Sequence, residues 1–211
     1  MRTDVVRGGV DAVRFGYTNQ PRARQVVQVG RIMPHKGINH LIDAADNDFE
    51  VIVAGRIVDE RYFDLLRSMS EGKRVRFLLD PTDDEIRELY RRSAMTVSAS
   101  VYTDVYGIHY PQSELLGLTL LESMAVGTPV VCTAVGGMPE YVEHGKTGFI
   151  VPPGDSGQMG QRIRELLDGP ALARRMGIAG REAVQALTWE HVAAEVMTQY
   201  AELSGIHGAS R

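Results

Sequence analysis

Apolar positions along the chain fall into short continuous runs separated by amphipathic stretches, and the two alternate about six times. The first run, 26–29, ends at Gly30. Across 36–46, Ile38, Leu41, Ile42 and Ala45 recur at helical spacing. A second run fills 50–54 and precedes a helix near 60–70. A third fills 74–79, and Asp83 is expected to cap the helix that follows to about residue 92, with acidic residues in its first turn. The fourth run, 94–98, opens into a long loop over 99–114. A helix over 116–126 closes at Gly127, Pro129 opens a fifth strand, and 139–143 reads as a short helix. A sixth strand, 147–151, stops at Pro152, Pro153 and Gly154, and three helical segments near 156–168, 171–187 and 189–203 finish the chain.

Several of these strands are continuous apolar runs, as suits a parallel sheet covered on both faces by helices. The pattern therefore predicts an α/β fold: a Rossmann-like, doubly wound parallel sheet of about six strands with right-handed crossovers and C-terminal helices. The expected division is a Gly- and Arg-rich lead-in over 1–25, a sheet domain over 26–187, and a C-terminal helix and tail over 188–211. Ligands bind such sheets at the carboxyl ends of the strands, near the point where strand order reverses. The loops after strands one, four and five are thus the places to look.

Composition narrows the function classes. With 211 residues and 44% hydrophobic content, the chain can bury a sizeable core. A net charge of -4 is no footprint for nucleic acid or an anionic membrane. The single Cys132 excludes an intramolecular disulfide and a multi-cysteine zinc site, and its apolar surroundings read as core. No apolar leader and no run of membrane-spanning length is present, so the cytoplasm is the expected compartment.

The loop after strand one carries Gly30, Arg31, Lys36 and Gly37. Arg31 can fork onto phosphate oxygens and Lys36 can act as a point charge. A solvated pair of surface cations fits the same spacing. Neither a dinucleotide-type glycine pattern nor a Walker loop is present here. After strand four, Glu114 and Glu122 stand eight positions apart, with Gly117 between them at the start of a helix. The amides of Leu118 and Thr119 then point outwards, as at an anion site. Glu122 lies within the apolar block of Leu118, Leu120, Leu121 and Met124, placed to accept from ribose hydroxyls, and Glu114 precedes the helix. Eight helical residues span about 12 Å, comparable to a folded nucleotide sugar. Two solvent-facing carboxylates remain compatible with the same residues.

Gly136 and Gly137, after strand five, imply either a tight turn or close backbone approach to a ligand. Gly145, Lys146 and Thr147 mimic the end of a Walker loop, but Glu140 stands where the earlier glycine is needed and a strand follows instead of a helix. His35, His40, His109, His144, His191 and His207 form no metal-spaced set; His109, in the long loop, is a candidate ligand contact or a surface residue. Arg56, and Asp80 through Thr82, share one edge of the sheet, where they frame a nucleobase or simply meet solvent. Thr188 is a candidate N-cap and Trp189 a packing anchor. Val192, Val196 and Tyr200 recur every four residues, fitting either this domain's own sheet or another surface.

In order along nearly the whole chain, these residues resemble the donor-binding half of retaining GT-B glycosyltransferases, the family related to bacterial glycogen synthase, sucrose synthase and cell-envelope mannosyl- and glucosyltransferases. Gly9 to Asp11 with Arg14 and Phe15 look like the family's interdomain lead-in. Gly30 to Gly37 look like its phosphate loop, and Glu114 to Glu122 like its E-x7-E motif, continuing through Gly127 to Val131. Gly136, Gly137, Glu140, Gly148, Pro152 and Pro153 follow in order. The resemblance implies a UDP- or GDP-sugar donor, with Arg31, Lys36 and Glu114 in catalytic positions and Glu122, Gly117, Leu118, Thr119, Arg56, Thr82 and His109 binding substrate. It implies that no metal or other cofactor is needed, and that an N-terminal acceptor domain, through which peripheral membrane association would come, is missing. Isolated, the chain is expected to bind donor and turn over poorly. Leu115 and Leu116 replace the family's usual Pro-Phe, and the loop with Tyr102, Tyr106, His109 and Tyr110 is longer than usual. A non-catalytic nucleotide-sugar-binding domain, or another GT-B enzyme such as an epimerase or phosphorylase, is the alternative.

Overall fold

The computed structural model describes residues 6–204; His207, the rest of the tail and residues 1–5 of the lead-in lie outside the described residues. Six parallel strands, β1 (Ala23–Val29), β2 (Glu50–Gly55), β3 (Val75–Leu79), β4 (Ser93–Ser98), β5 (Val130–Thr133) and β6 (Gly148–Val151), form one sheet in the order β3-β2-β1-β4-β5-β6. The helices are α1 (Ile38–Ala44), α2 (Glu60–Met69), α3 (Asp83–Arg92), α4 (Leu118–Ala125), α5 (Ser156–Asp168), α6 (Pro170–Val184) and α7 (Trp189–Ser204). The doubly wound α/β fold is as the pattern predicts.

Period-two alternation splits the strands' side chains between two cores. Val26, Val51, Val53, Met95 and Val97 face a cluster with Ile38, Leu41 and Ile42 of α1, Leu66 of α2 and Ile163 of α5. Val27, Ile52, Ala54, Val130 and Cys132 face the opposite cluster, with Tyr90 of α3 and Leu120, Leu121 and Met124 of α4. Each such aliphatic side chain contributes about 1.5–3 kcal/mol by leaving water. Burial pushes the Cys132 thiol up to about 12, so it is an inert core residue.

Several boundaries differ from the apolar pattern for identifiable reasons. The first strand starts at Ala23, so the end of the lead-in is already sheet. The first helix starts at Ile38 because Pro34–Lys36 forms a 3-10 turn and Gly37 takes a left-handed φ of 62°. A Cβ on Gly37 would lie 2.0 Å from the Ala99 carbonyl oxygen, so only glycine lets this turn press against the exit of β4. Asp83 is the first helical residue of α3; Thr82 caps it. The Thr82 hydroxyl accepts from the Glu85 amide at 3.3 Å, and Glu85 Oε2 accepts from the Thr82 amide at 2.7 Å. This reciprocal capping box is worth about 1 kcal/mol.

The lead-in packs on the domain. The Val10 amide donates to the Leu187 carbonyl at 2.8 Å, and the buried Phe15 ring lies 6.2 Å from that of Tyr90. Arg22 donates to the carbonyls of Tyr90, Arg91, Ser93 and Gly127 and to the Thr128 hydroxyl. One guanidinium thereby closes the carboxyl end of α3, the start of β4 and the turn after α4. No residue of α7 with a described side chain is buried, and Trp189 is 48% exposed, not a packed anchor. Among the described residues no helix is long and apolar enough to cross a membrane.

Candidate functional site

The chain reverses direction across the sheet between β1 and β4, and their carboxyl ends diverge around a cleft of 260 Å³. Gln28 and Gly30 of the β1 exit, Ser98 of β4, Lys36, Glu114, Gly117, Leu118 and Thr119 line it. Lys36 closes the 3-10 turn, and Gln28 Nε2 holds its backbone carbonyl at 2.8 Å. Lys36 Nζ reaches Glu114 Oε2 at 2.6 Å, and the Ser100 hydroxyl stands 3.3 Å from the same oxygen. The two charged side chains are only 18% and 16% exposed, which protects the pair from screening.

Glu114 is held by the glycine pair after β5. The Gly137 amide donates to the Glu114 carbonyl at 3.2 Å. A Cβ on Gly136, whose φ is 53°, would lie 1.6 Å from that same carbonyl oxygen, and one on Gly137 would lie 2.3 Å from the Leu115 carbonyl oxygen. The backbone that these glycines admit is therefore the chain's own. At the floor of the cleft, Gly117 starts α4 with a left-handed φ of 74° and no side-chain cap. The first amides of α4 have no side-chain partner at the cap and no acidic residue in the first turn, the condition under which a helix start attracts anions.

Glu122 lies outside this cleft lining, on the side of α4 that faces α3. It is half-buried, and the Tyr90 hydroxyl donates to its Oε2 at 2.9 Å. Burial pushes the Glu122 carboxyl above the usual carboxylate range, while the Tyr90 bond and Arg14 pull the other way. His35, beside Lys36, is held below the ordinary imidazole value first by burial, then by the Lys36 and Arg31 cations.

The other candidates are scattered. Arg31 is exposed beyond Gly30 and does not line the cleft. Arg56 is exposed, with its backbone carbonyl taken by the Ile32 amide. Thr82 is occupied as a cap. His109 is exposed at the far arm of a small turn, where its Nδ1 meets the Thr103 hydroxyl at 3.2 Å. The Gly145–Thr147 stretch is a turn into β6, with Lys146 paired to Glu143 and the Thr147 hydroxyl bound by the Glu143 amide. Among the described residues no three His, Cys, Asp or Glu gather as metal ligands could. Gln28, Ser98, Ser100 and Tyr90 went unrecognised in the sequence. Their signal was polarity inside or just after an otherwise apolar strand or helix face.

The model for glycosyl transferases group 1 matches residues 10–183. A phosphatidyl-myo-inositol mannosyltransferase of Mycobacterium leprae is 33% identical over 79% of this chain and 43% of its own length. Sucrose-phosphate synthase from Thermosynechococcus elongatus superposes with a TM-score of 0.80 at 29% identity, covering 98% of this chain and 54% of that one. The Anabaena protein HepE in complex with UDP-glucose superposes with a TM-score of 0.74 at 22% identity, covering 85% of this chain and 49% of that one. The chain spans about half the length of the curated relatives it matches.

Proposed function

The chain belongs to the glycosyl transferases group 1 family, and on that premise we propose that it is the donor-binding half of a retaining hexosyltransferase. The donor is a nucleotide sugar, and UDP is the first nucleotide to test because HepE was crystallised with UDP-glucose. One observation carries this reading. The Lys36–Glu114 pair, 2.6 Å apart, stands over the uncapped start of α4 at the point where strand order reverses. A cation and open amides suit a diphosphate; a carboxylate next to them suits the hydroxyls of the sugar it carries.

In this proposal Glu114 and Glu122 are the two ends of an E-x7-E motif. The bond from the anomeric carbon to the diphosphate oxygen breaks as the acceptor hydroxyl attacks from the same face. The acceptor's proton passes to the departing diphosphate, so configuration is retained. Charge develops on the leaving oxygen, and Lys36, Arg31 and the amides of Leu118 and Thr119 stabilise it there, an effect fixed dipoles and charges deliver without reorganisation. Arg31 reaches this position by swinging inwards from its exposed site. Thr82 and Arg56 flank the nucleobase end and His109 the approach to the sugar.

Calorimetry of the chain with UDP, GDP, ADP and their glucose and mannose conjugates tests the reading. Binding of one nucleotide family, tighter with the diphosphate than the monophosphate, is expected, together with poor transfer by the isolated chain. Failure to bind every nucleotide would overturn it.

A further inference from the structure

The phenol of Tyr90 has no role in the proposed chemistry, yet its placement is specific. Tyr90 is fully buried in the core shared by α3 and α4. Its ring packs against Phe15, and its backbone carbonyl accepts from Arg22 at 3.0 Å and from the Thr128 hydroxyl at 2.7 Å. The main chain and the ring are thus both held. The hydroxyl then makes one hydrogen bond among the described residues, 2.9 Å to Glu122 Oε2. That bond takes up Oε2, while Oε1 makes none among the described residues.

A carboxylate binds a vicinal diol best when its plane is fixed and the outward oxygen is free. Two rotatable bonds separate the Glu122 carboxyl from its Cβ, and a partly apolar setting offers little else to orient it. We infer that Tyr90 is the positioning residue for Glu122, aiming its free oxygen at the ribose hydroxyls of the donor and so setting the preference for ribose over deoxyribose. This rests on the reading of Glu122 as the ribose ligand. The groups that face Glu122 are Tyr90 and Asp83 of α3 and Arg14 of the lead-in. Arg14 is itself ion-paired to Asp83, which leaves Tyr90 as the direct contact.

The test is calorimetry of the whole chain with UDP and 2′-deoxy-UDP, and with GDP and 2′-deoxy-GDP in parallel, for the wild type, Tyr90→Phe, Glu122→Gln and the double variant. Tyr90→Phe keeps the buried ring, and a thermal melt confirms folding. The wild type should favour the ribonucleotide, and Tyr90→Phe should lose about two- to tenfold on the ribonucleotide while leaving the deoxynucleotide nearly unchanged. The double variant should be no worse than Glu122→Gln alone. Equal weakening of both nucleotides by Tyr90→Phe, or no weakening of either, overturns the inference. If the wild type and Glu122→Gln bind ribo- and deoxynucleotide alike, the ribose reading of Glu122 falls first and the inference falls with it.

Discussion

Lys36 Nζ and Glu114 Oε2 meet at 2.6 Å although their residues stand 78 positions apart, one on the exit of β1 and one on the approach to α4. Each is the other's counter-charge in the cleft. Under the proposed donor-binding role, a diphosphate sugar would replace that pairing on both sides, its phosphate taking the ammonium and its hydroxyls the carboxylate.

Removing the cation alone should be worse than removing both charges. Lys36→Met leaves a largely sheltered carboxylate unpaired and should cost about 1–2 kcal/mol, less than a fully buried pair would because some solvent reaches the site. Lys36→Met combined with Glu114→Gln should recover part of that loss. Denaturant melts of the wild type, Lys36→Met, Glu114→Gln and the double variant close the cycle, and additive losses would contradict the pairing.

The two glutamates should separate by ligand. Glu122→Gln should weaken bare nucleotide and nucleotide sugar alike. Glu114→Gln should leave bare nucleotide within about threefold and weaken only the sugar-bearing donor, by about tenfold, the order of one charge-assisted hydrogen bond. Titration of both variants with UDP and UDP-glucose reads this split.

Gly136→Ala should destabilise strongly. Its methyl would lie 1.6 Å from the Glu114 carbonyl oxygen, so the Glu114 segment must move. Gly145 shares a left-handed backbone, φ 81°, with nothing within 4 Å of its Cβ position. Gly145→Ala should therefore cost only the conformational penalty of about 1 kcal/mol, and Gly136→Ala roughly 3 kcal/mol or more. Nucleotide-sugar affinity should fall in the second variant only.

Acid should destabilise the fold before carboxylates titrate. His35 and His40 are both held below the ordinary imidazole value of 6.5, chiefly by burial. The unfolded chain protonates these rings first as pH falls, so it binds more protons, and stability drops as pH falls through and below 6.5. Glu122 has the opposite sign: its raised carboxyl keeps its proton in the folded state, so its contribution declines as pH rises out of the usual carboxylate range. Thermal melts between about pH 7.5 and 5.5 should show the histidine slope, and His40→Gln should flatten it.

The sheet was legible because several strands, such as 51–54 and 130–132, are continuous apolar runs and so read as buried on both faces. The helix boundaries were less so. Gly37 and Gly117 take left-handed conformations that start α1 and α4 two residues later than the apolar spacing suggests, and Thr82 with Glu85 outcompetes Asp83 as the cap. Lys36, beside Gly37, and Glu114, ahead of a helix start, were recognisable singly, but not as partners, because contact across 78 positions depends on strand order. Gly136 and Gly137 read as a tight turn or as close approach of backbone to a ligand; the space a Cβ would need at each is taken by the backbone of Glu114 and Leu115, a contact between distant segments that neither reading named. Tyr90 was hidden because a tyrosine at helical spacing looks the same whether its hydroxyl meets solvent or a carboxylate.

Arg22 sets a rule for anyone splicing this domain with a relative. Its guanidinium bonds to α3, β4 and the turn after α4 at once, so these pieces are not interchangeable one at a time. A chimera that imports a new α4 to change donor choice must bring the matching lead-in and α3 with it. Otherwise the graft arrives with its new helix correctly sequenced and wrongly seated.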